Sequence, residues 1–331
     1  MKKNYNFAPQ KKRSLTFMIN RALLRIKIVK ILYSHYKGDG KSLPLAEKEL
    51  FFSLEKTYDL YFQLLRLSLD ITRFASERID ARRNKMCPTE EDLHPNTRFI
   101  DNSFIKQLSE NEQLNEYLKK RKLSWVNHPE LIKNLYEKIV ASDFYVKYMN
   151  DEKLTYTAEK DIWRKIYKNI FLNSEELDEA IEEQSIFWTD DIEFVNSFVV
   201  RTIRQFKPEN GPEQDLLPMF RNEEDGEFGM KLLKYTLENE DQYLEMIDKH
   251  TRNWDLDRIA FMDILIMQAA LAELCNFPTI PINVTLNEYI EISKNYSTEK
   301  SGTFVNGVLD KIVNQLKSEN KLTKVVYFQS K

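Results

Sequence analysis

Residues that could carry out catalytic or metal chemistry are few and scattered in this 331-residue chain. Nucleotide enzymes need glycines where the backbone approaches a phosphate, and neither GxxxxGKS/T nor GxGxxG occurs among the 7 glycines. No histidine stands in an HExxH motif or near a second metal ligand along the chain. The four histidines are His35, His94, His128 and His250. We therefore expect no catalytic residue, no cofactor and no metal site, and a protein that is not an enzyme.

The two cysteines, Cys87 and Cys275, are too few for a disulfide framework. Cys275 follows an apolar segment, where a small buried thiol is the usual role of cysteine. The richest apolar stretch, 259–274, is interrupted by charged and polar residues and stays short of the roughly 18 apolar residues of a membrane span. These features favour a cytoplasmic protein without a membrane segment.

Charge is distributed unevenly along the chain. Residues 1–37 carry ten Lys or Arg and no Asp or Glu, while the rest carries 39 basic and 52 acidic side chains. A basic N-terminal region on an acidic body predicts a localised site for a polyanion. For residues 1–17 the alternative of a solvated tail that binds nothing is equally open, and their lack of apolar periodicity predicts disorder.

The basic residues that follow lie on a predicted helix from about residue 19 to Lys37. Its apolar residues form two arcs, which is typical of a helix buried between neighbours. The charged residues fall in the gaps between the arcs, so they are expected to emerge as two thin exposed stripes that neutralise phosphates. The candidates are Arg21, Arg25, Lys27 and Lys30.

The remaining periodicity is also helical. A long amphipathic helix is predicted over 45–83, where apolar residues recur every three or four positions, and another over 228–250. Thr285 and Glu288 have the spacing of a capping box that opens a helix, and Thr303 is a candidate cap of the last one. Few glycines and prolines leave little room for hairpins, so the predicted fold class is all-α.

The last predicted helix contains Asn306 and Gly307. A glycine inside a helix costs about 1 kcal/mol relative to alanine, so a close backbone approach is the expected reason for Gly307. Packing against another helix, with Asn306 as a buried hydrogen-bonding residue, is the simpler explanation. Phe304 is a core residue on the same view, although an aromatic ring near a helix start also suits base stacking.

Four blocks of the C-terminal third are similar to the NusB family of transcription antitermination factors, over about residues 228–316. They are Arg258–Leu274, Ile280–Val284, Leu286–Lys294, which contains Asn287 and Glu288, and the run FVNGVLDK at Phe304–Lys311. Arg25, followed by Ile31, Leu32 and Tyr33, resembles the first helix of that family.

This resemblance implies an all-α, NusB-like helical bundle with an extra helical extension inserted after the first helix. The implied organisation is a basic disordered tail at 1–17, the first helix at 18–37, the extension at 38–194, the remainder of the bundle at 195–318 and a tail at 319–331.

The resemblance also implies a noncatalytic function. Family members bind single-stranded boxA-type RNA in nascent ribosomal transcripts, with the small-subunit ribosomal protein NusE, in the antitermination complex of RNA polymerase. The RNA-binding residues predicted here are Arg21, Arg25, Lys27, Lys30, Phe304 and Asn306.

Two alternatives stay open at the level of sequence. Some RNA cytosine methyltransferases carry a NusB-like domain, but this chain has no Gly-rich S-adenosylmethionine loop and no catalytic cysteine motif. A structural adaptor without RNA binding, which contacts a basic protein through its acidic extension, is the other alternative.

Overall fold

A computed structural model describes residues 18–38, 42–251, 259–322 and 324. These residues form α-helices and short 3-10 turns and include no β-strand, which confirms the all-α prediction. The basic N-terminal segment predicted to be disordered, 1–17, lies outside the described residues. Within the described part of the chain, no helix is both long enough and apolar enough to cross a lipid bilayer.

The described residues contain fifteen α-helices. In chain order they are α1 (Arg21–Lys37), α2 (Leu43–Arg83), α3 (Glu90–Leu93), α4 (Ser103–Ser109), α5 (Glu112–Arg121), α6 (Pro129–Val140), α7 (Asp143–Met149), α8 (Tyr156–Asn169), α9 (Glu175–Gln184), α10 (Ile192–Gln205), α11 (Glu223–Glu238), α12 (Glu240–Thr251), α13 (Phe261–Asn276), α14 (Ile282–Tyr296) and α15 (Ser301–Ser318). The predicted long helix over 45–83 is confirmed as α2. The predicted helix over 228–250 is two helices, because Asn239 breaks it between α11 and α12.

The chain divides into two compact units. Unit 1 contains the described residues of Met1–Leu54 and Met219–Lys331, and unit 2 is Glu55–Pro218. The start of α2 therefore belongs to unit 1, where Leu50 lies beside Leu24 and the backbone of Gly229. Helix α10 belongs to unit 2, where Asn196 donates a hydrogen bond to the carbonyl of Tyr167. The sequence assigned 38–194 to the extension, so the two divisions differ at both boundaries.

Unit 1 is built around α13, which contacts α1, α11, α12, α14 and α15. Eleven of its sixteen residues, from Asp263 to Leu274 with one exception, are buried. A helix that is apolar all round needs neighbours on every side, and α13 has them. The helices that touch α13 are thereby held in fixed positions.

Two cap predictions are wrong. Helix α14 begins at Ile282, directly after Pro281, so Thr285 lies inside the helix and not at its N-cap. Helix α15 begins at Ser301, two residues before Thr303. The spacing of a capping box is short enough to occur inside a helix, and in α14 the threonine has a different partner, described below.

Unit 2 contains a buried ion pair of its own. Asp59, 1% exposed, accepts two hydrogen bonds of 2.7 Å from Arg121 and one of 2.8 Å from the hydroxyl of Tyr117. These contacts join α2 to α5. A buried carboxylate needs such partners because burial without them costs several kcal/mol.

Candidate nucleic-acid interface

The residue that carries the family resemblance in α1, Arg25, is buried in an ion-pair network. Its Nε and Nη2 donate hydrogen bonds of 2.7 and 2.8 Å to the carboxylate of Glu273 on α13, and its Nη1 donates one of 3.1 Å to Glu288 on α14. The Arg25 residue is 3% exposed and Glu273 is fully buried. A bidentate arginine–carboxylate pair fixes both distance and orientation, so Arg25 holds α1 against α13 and α14.

Glu273 receives further donors from α14. The hydroxyl of Thr285 donates a hydrogen bond of 2.8 Å to it, and the hydroxyl of Tyr289 lies at 3.4 Å. Burial, followed by the charge of Glu273, raises the pKa of Tyr289 well above its usual value, so this hydroxyl stays a donor. Burial lowers the pKa of Arg25, but the hydrogen bonds and charge of Glu273 outweigh that effect and raise it overall. The Arg25 guanidinium therefore stays charged at neutral pH.

Two of the four blocks that resemble the family thus meet the first-helix segment at one point. Arg25 comes from the first helix, Glu273 from the second-last residue of the Arg258–Leu274 block, and Glu288 from the third block. Their role in this structure is to position helices.

The expectation of exposed basic stripes is wrong for Arg25 and Lys27, each 3% exposed. The reason is that α1 contacts α11, α13 and α14, so the gaps between its apolar arcs face protein and not solvent. Lys27 also has an interaction partner within the chain. Neither side chain is placed to bind a phosphate in this structure.

Arg21 and Lys30 are half-buried, with accessible surface. Arg21 pairs with Asp225 at 3.0 Å and with Glu224 at 3.5 Å, at the start of α11. The Nζ atom of Lys30 lies 5.1 Å from the ring centre of Tyr296, the last residue of α14. Arg21 and Lys30 are nine positions apart in α1, so they lie on opposite sides of the helix and about 14 Å apart along its axis. The structure does not bring them together.

The first turns of α15 are accessible. Phe304 and Asn306 are half-buried, and the Asn306 side chain has no hydrogen-bond partner among the described residues. A Cβ atom added to Gly307 would meet nothing within 4 Å. The predicted close backbone approach within the chain is therefore wrong for Gly307, and Asn306 is not the buried hydrogen-bonding residue of the simpler explanation.

The close approach is instead at Gly302, which the sequence reasoning missed. A Cβ atom there would lie 2.8 Å from Cγ of Lys294, so the lysine side chain crosses the start of α15 over this glycine. Lys300, at the N-cap position of α15, was also missed; it is exposed and has no ion-pair partner in the described part of the chain. The available signal was the position of Lys294 and Lys300 on either side of the α14–α15 connection, just before Gly302.

We define the basic edge as Lys30, Tyr296, Lys300, Phe304 and Asn306. Lys30 meets Tyr296 directly, and the other three follow within ten residues of Tyr296 along the chain. Its residues comprise two cations, two aromatic rings and one unpartnered amide, and the spatial contact seen among them is the one between Lys30 and Tyr296. Cations suit phosphates, rings suit stacked bases, and an amide can both donate to and accept from a base edge.

Comparison with known proteins bears on the same region. The NusB family profile matches residues 197–314. A transcription antitermination protein NusB of Salinibacter ruber is 39% identical over 108 residues, which cover 33% of this chain and 68% of that protein. This chain belongs to the NusB family.

Other NusB relatives match a similar stretch. The transcription antitermination protein NusB of Bacillus subtilis is 46% identical over 85 residues, covering 26% of this chain and 65% of the relative. The transcription antitermination protein NusB of Acetivibrio thermocellus is 39% identical over 92 residues, which cover 28% of this chain and 63% of the relative. This chain thus spans about two thirds of the length of these NusB relatives. No solved structure matches it.

The NusB match and the two units overlap only partly. It begins inside α10, in unit 2, and continues through unit 1 to α15. Helix α1 lies outside the match, yet the Arg25 network attaches it to α13 and α14. Residues 55–196 of unit 2 lie outside the match. The name of the relatives denotes a non-enzymatic role, in agreement with the expectation from the sequence.

Proposed function

We propose that this NusB-family protein is an RNA-binding transcription antitermination factor that binds single-stranded boxA-type RNA of nascent ribosomal transcripts at the basic edge. The relatives' name supports the antitermination role. The accessible cations and rings of the edge support RNA as the ligand, because single strands are recognised through phosphates, stacking and base edges together.

The observation that carries the proposal is the Asn306–Gly307 pair. Asn306 has no hydrogen-bond partner among the described residues, and Gly307 has open space around it, so neither serves the fold in the described contacts. A helix-interior glycine costs stability, and an external ligand that approaches the α15 backbone accounts for that cost. The amide of Asn306 beside it is suited to a base edge.

Arg25 and Lys27 were predicted to contact RNA, but both side chains are buried, so this proposal does not include them among the RNA contacts. Arg25 is a positioning residue, which holds α1 so that Lys30 stays beside Tyr296. Arg21 retains accessible surface but is paired with carboxylates on α11, which reduces the charge that it offers to a phosphate.

We further propose NusE as the protein partner, within the RNA polymerase antitermination complex of the cytoplasm. An exposed aromatic patch suits a protein contact: Tyr33 is 41% exposed, its ring centre lies 5.9 Å from that of Phe261, and Lys37 Nζ lies 4.7 Å from the Phe261 ring. Tyr33 follows Lys30 by three residues on α1, so this patch adjoins the basic edge. Tyr and basic side chains are favoured at such interfaces.

The test is fluorescence anisotropy with a labelled boxA-like single strand over a range of salt concentrations. Lys30→Gln and Lys300→Gln should each weaken binding and lower the log–log salt slope by about 0.7 for each phosphate that the protein no longer neutralises. Lys48→Gln is the matched control, because Lys48 is an exposed lysine of unit 1 outside the edge. Equal effects of all three variants would contradict the basic edge as the RNA site.

A second variant separates binding from stability. Gly307→Ala should weaken RNA binding severalfold while leaving the fold intact, since its methyl group meets only the approaching ligand. Unchanged RNA binding by Gly307→Ala, or no RNA binding by the parent protein, would favour the adaptor alternative. Methyl transfer to the RNA would favour the RNA-modification alternative.

A further inference from the structure

Unit 2 contains a groove that the NusB match does not reach. Its volume is about 620 Å³, and it lies between the C-terminal part of α2, the segment before α4, and helices α6 and α7. Its lining includes Arg78, Arg82, His94, Asn96, Tyr136 and Tyr145. No residue of this groove takes part in the basic edge.

Aromatic rings form one wall of the groove. Phe99 is buried and packs on Trp163 beneath, with ring centres 5.2 Å apart, and it meets Tyr145 at 5.3 Å. Tyr136 and Tyr145 themselves are half-buried, so part of each ring stays accessible. Burial and the proximity of Tyr136 raise the pKa of Tyr145, which keeps its hydroxyl a neutral donor.

Cations line the groove beside these rings, and the guanidinium carbon of Arg78 lies 5.7 Å from the ring centre of Tyr136. Arg78 and Arg82 stand one turn apart on α2; Arg78 pairs with Glu137 at 3.2 Å, while Arg82 is exposed and has no ion-pair partner among the described residues. Arg83 follows at the end of the same helix, also exposed and outside the groove lining. Arg82 is therefore the cation available to a ligand in the groove.

We infer that this groove binds a second segment of single-stranded RNA, with a phosphate on Arg82 and bases against Tyr136 and Tyr145. Cations beside accessible aromatic rings are the arrangement that binds single strands, because every base has a stacking face and every phosphodiester linkage a negative charge. An acidic peptide would use the arginine but not the ring faces. The inference rests on the proposed function, because the RNA in the groove is assumed to belong to the same transcript that binds at the basic edge.

The groove extends the RNA footprint without adding base selectivity. Stacking accepts any base, and the arginine meets a phosphate that all nucleotides share. RNA beyond the boxA-type sequence would therefore be held by unit 2 whatever its sequence.

The experiment uses the full chain and a photoreactive oligouridylate of about ten nucleotides, a length within the range that such sites accept. After irradiation, crosslinked peptides are mapped by mass spectrometry, and affinities are measured in parallel. Crosslinks at Tyr136, Tyr145 or His94 are expected. Tyr136→Leu should weaken oligouridylate binding roughly tenfold.

The matched pair Arg82→Gln and Arg83→Gln removes the same charge from neighbouring positions, one inside and one outside the groove. Arg82→Gln should weaken binding at least a few times more than Arg83→Gln. Equal effects of the two substitutions on affinity, or crosslinks confined to α1, α14 and α15, would contradict RNA binding in the groove. Neither result would contradict RNA binding at the basic edge. Crosslinks confined to the groove would instead contradict the proposed function.

A competition arm tests the other occupant. A polyglutamate peptide of equal length should not displace the oligouridylate from the groove. Displacement at equal concentration would overturn the inference in favour of an acidic protein segment.

Discussion

Replacing Arg25 by glutamine should destabilise unit 1 by about 3 kcal/mol. The substitution removes two hydrogen bonds of 2.7 and 2.8 Å to Glu273, and leaves that fully buried carboxylate with Thr285 and Tyr289 as its donors. Breaking a buried pair by removing one partner costs about 3–5 kcal/mol, because the other charge stays buried without compensation. We expect the lower end of this range, because the hydroxyl groups of Thr285 and Tyr289 still donate to the Glu273 carboxylate in the variant.

The assay is urea unfolding followed by far-ultraviolet circular dichroism, with hydrogen exchange read by mass spectrometry as the local measurement. A destabilisation of about 3 kcal/mol corresponds to roughly a hundredfold increase in opening, so amides of α1, α13 and α14 should exchange about that much faster. Amides of unit 2 serve as an internal reference.

Arg21→Gln is the matched control. It removes an arginine from the same helix, but one whose side chain is 32% exposed and whose partner Asp225 lies in the first turn of α11, where the free helix amides also stabilise a carboxylate. The expected cost is about 1 kcal/mol. A second variant, Arg25→Met combined with Glu273→Met, should recover part of the stability, because neither charge is then buried alone. If Arg25→Gln and Arg21→Gln had equal stabilities, the network would not be what holds α1, and the reasoning would be refuted.

Three further predictions concern single positions elsewhere. Gly307→Ala should stabilise the protein by about 0.5–1 kcal/mol in urea unfolding, whereas Gly302→Ala should destabilise it, because only the second methyl group meets a neighbour. Asp59→Asn should cost unit 2 about 1–3 kcal/mol, because an amide accepts the hydrogen bonds of Arg121 more weakly than a carboxylate does, while the 28% exposed Arg121 side chain stays partly hydrated; the measurement is again urea unfolding with hydrogen exchange. A thiol reagent at mildly alkaline pH should label Cys87, which is exposed, well before Cys275, because burial raises the pKa of the Cys275 thiol and lowers its thiolate fraction at any given pH.

The spacing of apolar residues along the chain was sufficient to predict where the long helix α2 lies. The three-to-four spacing of apolar residues predicted α2 almost to its ends. Periodicity succeeds here because an α-helix repeats within its own residues, independently of what packs on it. It failed at Asn239, where one residue divides α11 from α12 without a glycine or proline to mark the break.

The sequence by itself determined the helical class, the family and the concentration of positive charge near α1. Tertiary structure alone decided which of those charges are accessible. From the sequence, the gaps between the two apolar arcs of α1 were expected to face solvent. In the structure α11, α13 and α14 pack against α1 and cover these gaps. Arg25 therefore pairs with Glu273, which is 248 residues away along the chain. The same holds for Gly307, which lies inside α15 but has no neighbouring side chain or helix within 4 Å of an added Cβ atom. Exposure depends on neighbours distant in sequence, and a pattern within one helix does not contain them.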